Sequence, residues 1–150
     1  MSEPTPLSYI HANCVVLGES GVLIRGPSGS GKSRLSHALV ALAESRGHFG
    51  RLVGDDRIGI RVAGGRLIAS GHPAIAGQIE LRGSGIIGIP FEKQAVIRLL
   101  ADLRPSLEER MPEDAKTVDN LFGISVRRII VTPECTERIL AAVGLGSLVV

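Results

Sequence analysis

Two short apolar runs, Asn13 to Leu17 and Gly21 to Arg25, are separated by Gly18-Glu19-Ser20. β-rich runs joined by a turn-like linker predict a hairpin whose second arm enters the glycine-rich stretch that starts at Gly26. After Lys32 the period changes. Leu35, Ala38, Leu39, Leu42 and Ala43 recur at helical spacing and Gly47 stops the pattern, so a helix follows the glycine stretch. Leu52 to Gly54 reads as a brief strand ending at Asp55-Asp56, and Arg57 to Val62 with Arg66 to Ala69 reads as a second hairpin about Ala63-Gly64-Gly65. Further strands are predicted at Gln78 to Leu81, Ile86 to Ile89, Ala95 to Asp102 and Val126 to Val131. Thr132-Pro133-Glu134 reads as an N-cap and N1 proline opening a last helix, with Ile139, Leu140 and Val143 on its apolar face.

Two segments fall outside this pattern. Met1 to Ile10 reads as a flexible lead-in, and Pro105 to Asp119, polar and with two prolines, reads as a loop or short helix suited to movement. No internal repeat is visible. The elements predict an α/β protein with a central, mostly β core, hairpins and a few flanking helices, within one domain of 150 residues.

Composition removes several function classes. Apolar residues make up 44% of the chain, enough for a buried core. Aromatics are 3% with no Trp, so a stacking platform for nucleic-acid bases has little to be built from. The net charge of +2 is spread without a run of four Lys/Arg, which argues against nucleic acid and anionic membranes as partners. The N-terminus lacks a basic region followed by an apolar run, and the uncharged stretch from Ile139 is shorter than the roughly 20 residues a bilayer span needs. Cys14 and Cys135 are too few and too far apart for a metal knuckle and read as buried free thiols in a reducing cytoplasm.

Gly26-Pro27-Ser28-Gly29-Ser30-Gly31-Lys32-Ser33 matches G-x-x-x-x-G-K-[ST] in full, between a predicted strand and a predicted helix. Glycines let backbone N–H groups turn toward phosphate oxygens, and the helix N-terminus adds favourable potential. Lys32 reaches the β and γ phosphates, and Ser33 offers a hydroxyl to Mg²⁺. This defines a P-loop-containing nucleotide-binding fold. Asp55 and Asp56 end a strand where such folds place a carboxylate near the metal, so one can serve Mg²⁺ and the other can accept a proton. Glu80 and Arg82 alternate with Ile79 and Leu81, which turns both charges to one face ahead of Gly83-Ser84-Gly85. That suits a metal ligand beside a phosphate-binding cation, and equally a cross-strand salt bridge. Spacing gives His11 and Arg110 no role, and His37, His48 and His72 read as structural or solvated.

Together, Gly21-Val22-Leu23-Ile24, the P-loop, Gly47-His48, Leu52-Val53-Gly54-Asp55-Asp56 and Ile79-Glu80-Leu81-Arg82-Gly83-Ser84-Gly85-Ile86-Ile87 resemble the catalytic domain of HPr kinase/phosphorylase. The resemblance implies an ATP- and Mg²⁺-dependent serine kinase acting on the phosphocarrier HPr or an HPr-like regulatory phosphocarrier. It implies a homo-oligomer, hexameric in the family. His11 matches the active-site histidine ahead of the P-loop, and Lys32 and Ser33 match the phosphate and Mg²⁺ ligands. Asp55-Asp56 match the catalytic acid pair, with Asp56 also placed at the metal, and Glu80 matches a second magnesium ligand. Arg82, Gly83 and Gly85 fall in the loop used in both reaction directions, and Arg110 resembles a catalytic arginine in a mobile segment. At 150 residues the chain resembles a short, catalytic-domain-only form. Val131 to Glu137 lacks the glycine and basic residues linked to phosphorolysis, which points to the kinase direction with the reverse reaction in question. The other readings are a small-molecule P-loop kinase, or a nucleotide-sensing module that transfers no phosphate.

Overall fold

The computed structural model describes residues 5–108 and 111–146. The alternation of apolar residues builds the central hairpin from β2 (Asn13–Leu17) and β3 (Ser20–Arg25), closed by Gly18 in the left-handed region at φ 62°. Val15, Leu17, Val22 and Ile24 face one side, while Cys14, Val16 and Leu23 face the other. Both sides are buried, as expected of strands inside a sheet covered on two faces. Burial without a charged partner pushes the Cys14 thiol up, so it stays protonated. Cys135 is only half-buried.

The strand β9 (Gln94–Leu103) is the hub of a nine-stranded mixed sheet. It runs parallel to β3 and to β11 (Ile124–Val131), and antiparallel to β6 (Arg66–Gly71). Its register against β3 steps from Gly21↔Ile97 to Val22↔Leu99, so one extra residue, Arg98, enters β9 there. The step reverses the faces: Ala95 and Ile97 join one core, and Leu99, Ala101 and Leu103 the other. Beyond β6 lie β5 (Ile58–Ala63) and the edge strand β1 (Ser8–Ile10). On the opposite side β4 (Gly50–Gly54) pairs β2. The hairpin of β7 (Gln78–Leu81) and β8 (Gly85–Gly88) stands apart and reaches the core through buried Ile79. The helix α1 (Lys32–Ser45) buries Leu35, Leu39, Val40 and Ala43 on one sheet face beside α2 (Thr136–Ala142).

Three expectations change. The lead-in is not wholly flexible: Ser8–Ile10 pairs with β5, and the Thr5 N–H donates to the Val62 carbonyl at 3.0 Å. The last helix begins at Thr136, because Thr132 to Cys135 closes a turn of its own in which the Cys135 N–H donates to the Thr132 carbonyl at 3.0 Å. The third concerns the segment from Pro105 to Asp119, which contains a 3-10 turn at Pro112–Ala115 and runs into β10 (Val118–Leu121). Asp114 there is buried and accepts from Arg104 at 2.5 and 3.1 Å and from Arg128 at 3.2 Å. Arg128 also donates to Asp102 at 2.7 Å, and Asp102 holds Arg25, the residue before the P-loop, through two bonds of 2.6 and 2.9 Å. Arg25 reaches Asp119 at 3.1 Å. The later part of the segment is therefore pinned to the root of the P-loop rather than free to swing.

Arg104, then the Met111 N–H and Arg128, hold the Asp114 carboxyl at about 2, below its ordinary 3.8. A depressed acid contributes stability above its unfolded value and loses it as pH falls through the folded one. Thermal unfolding should accordingly be insensitive to this group above about pH 5 and decline between about pH 4 and pH 2. Asp114→Asn should melt lower at pH 7 and show a shallower acid decline; an unchanged acid profile would assign the decline to other groups.

Candidate active site

The sheet delivers its chemistry at one end. Strand β3 ends at Arg25 and the chain turns through Gly26 to Gly31 into α1, with Gly29 at φ 78° and Gly31 at φ 101°, conformations that favour glycine. A Cβ on Gly31 would also come within 3.0 Å of the Pro133 ring, so the β11–α2 turn packs against the loop. No acidic side chain occupies the first turn of α1, which leaves its N–H groups and positive potential to an anion. Lys32 is 5% exposed and folds back along the loop, its Nζ donating to the Gly26 carbonyl at 2.8 Å and the Pro27 carbonyl at 3.2 Å.

Strand β4 ends in the acid pair, and the two carboxylates differ. Asp55 is buried, with three donors: Ser33 Oγ at 2.6 Å, Asn13 Nδ2 at 2.7 Å and the Glu80 N–H at 3.0 Å. Asp56 has a left-handed backbone at φ 63°, its N–H bonded to Asn13 Oδ1 at 2.8 Å, and an exposed carboxylate. That carboxylate lies 3.1 Å from His11 Nε2 and 4.0 Å from Lys32 Nζ. Since a carboxylate only accepts, the contact puts a proton on Nε2. Ser28 Oγ approaches the same nitrogen at 3.3 Å, so these three do not form a Ser-His-Asp relay, which uses both ring nitrogens.

A cleft of about 510 Å³ lies over the loop, walled by Asp55, Asp56, Glu80 and Arg82. Glu80 and Arg82 share that wall and form no ion pair among the described residues, so the cross-strand salt-bridge reading is not what is seen. Gly83 and Gly85, at φ 83° and 78°, make the turn beyond them. The site fits a magnesium nucleotide on two observations: Ser30 Oγ is buried in the loop without a partner, and Ser33 Oγ sits on Asp55. Ser33, Asp55 and Glu80 are oxygen donors of the kind Mg²⁺ takes when phosphate completes its shell. Among the described residues no three His, Cys, Asp or Glu cluster to hold a metal alone.

The structure therefore gathers His11, the loop from Gly26 to Ser33, Asp55, Asp56, Glu80 and Arg82. Arg110 lies outside the described residues. Sequence reasoning missed Asn13 and Ser36, both fully buried. Their signal is faint: one amide opening an otherwise apolar strand, and one hydroxyl on the buried face of α1. Also unanticipated was the Arg25–Asp102–Arg128 chain beneath the loop. No helix among the described residues is long and apolar enough to cross a membrane.

Comparison with known proteins places this geometry. The HPr kinase/phosphorylase of Clostridium beijerinckii is 38% identical over 137 residues, covering 84% of this chain and 43% of that protein. That of Clostridium tetani is 40% identical over 85 residues, covering 57% of this chain and 26% of its own length. The chain thus spans less than half the length of these relatives. The structure of the Hpr(Ser) kinase/phosphatase from Coxiella burnetii superposes with a TM-score of 0.75 at 30% identity, covering 92% of this chain and 97% of that one. The family model for the HPr Serine kinase C-terminal domain matches residues 3–132. With most of its length in that match, the chain belongs to the HPr serine kinase C-terminal domain family.

Proposed function

We propose that this chain is the catalytic domain of an ATP- and Mg²⁺-dependent protein-serine kinase that phosphorylates HPr or an HPr-like phosphocarrier. The observation that carries the reading is the division of labour in the acid pair: Asp55 is buried, accepts from three donors and is tied to Ser33, while Asp56 is exposed beside His11 and Lys32. When bound, Mg²⁺ would be held by Ser33, Asp55 and Glu80 and would neutralise charge on the phosphates; Asp55, tied to Ser33, takes the place at the metal that the sequence resemblance gave Asp56. The P-loop N–H groups and Lys32 hold the β and γ phosphates of ATP, which requires Lys32 to leave the Gly26 and Pro27 carbonyls. Asp56 accepts the proton of the serine hydroxyl as its oxygen bonds to the γ-phosphorus and the bond to the bridging β–γ oxygen breaks. ADP departs with that oxygen. His11 orients the Asp56 carboxylate, and Arg82 offers a cation at the cleft wall.

Positioning and charge stabilisation supply most of the acceleration in such transfers. Asp56→Asn is expected to lower kcat by about 10²-fold, the usual contribution of a general base, with little change in Mg²⁺ requirement. Asp55→Asn should instead raise the Mg²⁺ concentration needed for half-maximal rate. Phosphate transfer from γ-labelled ATP to purified HPr, read as phosphoserine by mass spectrometry, tests the assignment; nucleotide turnover with no labelled serine on any phosphocarrier would overturn it. The kinase direction is favoured because Val131 to Glu137 lacks basic residues. A hexameric, cytoplasmic enzyme working without nucleic acid or membrane accompanies this reading, and sedimentation of the purified chain checks the hexamer.

A further inference from the structure

Asn13 opens β2 with no exposed surface, and its carboxamide has three polar partners. The Asp56 N–H can only donate, so the amide oxygen must face it, at 2.8 Å. The amide nitrogen then faces Asp55 Oδ1 at 2.7 Å and Ser36 Oγ at 3.0 Å. Ser36 Oγ in turn donates a hydrogen bond to the Lys32 carbonyl at 2.7 Å, in the first turn of α1. One side chain thus joins both members of the acid pair to the helix turn that carries Lys32 and Ser33.

We propose that Asn13 is a positioning residue for phosphoryl transfer, fixing which carboxylate faces Ser33 and which faces His11. Adjacent residues at a strand end are poorly distinguished by the backbone alone, and Asp56 takes a left-handed conformation that a non-glycine residue adopts at a cost. Asn13 fixes that conformation from the N–H side while orienting Asp55 from the carboxylate side. The task needs two donated hydrogens and an acceptor on separate atoms of one short side chain, which among the natural residues of this size is an amide. A Ser or Thr hydroxyl has a single proton, on the same oxygen that would accept, and an Asp carboxylate has none to donate.

The inference rests on the kinase reading, so its test includes a measurement that needs no acceptor. Fluorescent ATP would be titrated into wild type, Asn13→Ala and Ser36→Ala, with and without Mg²⁺, alongside kcat and KM for transfer and thermal melts. In Asn13→Ala the affinity gained on adding Mg²⁺ should fall at least fivefold while metal-free nucleotide affinity is kept. Its kcat should fall on the order of 50-fold, in line with the sensitivity of such reactions to ångström misplacement. Ser36→Ala, which leaves both acid contacts in place, should keep at least a third of wild-type kcat. Asn13→Ala with kcat and the Mg²⁺ effect within twofold of wild type overturns the proposal. Equal losses in Asn13→Ala and Ser36→Ala that follow the fraction folded overturn it too, since that is a packing role. If Asn13→Ala does not fold, Asn13→Ser carries the same comparison. Should wild type phosphorylate no acceptor, the kinase reading fails, and the Mg²⁺ titration still decides the role of Asn13.

Discussion

Lys32→Ala should remove phosphoryl transfer almost entirely, by on the order of 10³-fold, the scale on which preorganised charge at a developing anion acts. The side chain is 5% exposed in a slot made by the loop's own carbonyls, so its ammonium is delivered by the backbone around it. Among the described residues no other cation sits in its place on the loop carbonyls: Arg34 pairs with Glu134, and Arg82 stands on the cleft wall. Lys32→Arg should rescue little, because a planar guanidinium is too large for a slot shaped to a single ammonium. Label transfer measured at saturating nucleotide checks this, and activity within tenfold of wild type would remove Lys32 from the mechanism.

Arg128→Ala should do the reverse, costing stability first. Arg128, 6% exposed, lies between two buried carboxylates, Asp102 and Asp114, and also donates to the Glu113 and Lys116 carbonyls. Removing one partner of a buried ion pair leaves uncompensated charge, at a cost of about 3–5 kcal/mol. For a domain of this size that lowers Tm by about 6–20 °C. Asp102 would keep Arg25, and Asp114 would keep Arg104, which sets the lower end of the range. Chemical denaturation checks the figure. A loss below about 1 kcal/mol would mean that the two remaining arginines suffice and that Arg128 is replaceable packing.

The elements legible in the sequence are those whose signal is local. The hairpins β2–β3 and β5–β6 carry turn glycines between alternating residues, and α1 carries its own period and stop. β1 was not legible, because Ser8, Tyr9 and Ile10 become a strand only through β5, an element some fifty residues away. The start of α2 was misplaced for a related reason. Thr132-Pro133 looks like a cap, but Pro133 packs on Gly31 and the turn closes before the helix begins. Within the site, the P-loop and the two acids announce themselves by pattern. What separates Asp55 from Asp56 does not, since it depends on Asn13 arriving from β2 and the Glu80 N–H from β7.

The parallel pairing of β3 with β9 carries a consequence for how the protein matures. Arg25 and Asp102, which clamp the root of the phosphate loop, are 77 residues apart in sequence. The hairpin can form early, but the strand that fixes its far edge must first be made and brought back, with the loop-closure entropy this entails. On a ribosome the glycine motif emerges long before it can grip a nucleotide. On the proposed kinase reading, acquisition of ATP affinity would time completion of the sheet, and a nascent chain shortened before β9 should bind none.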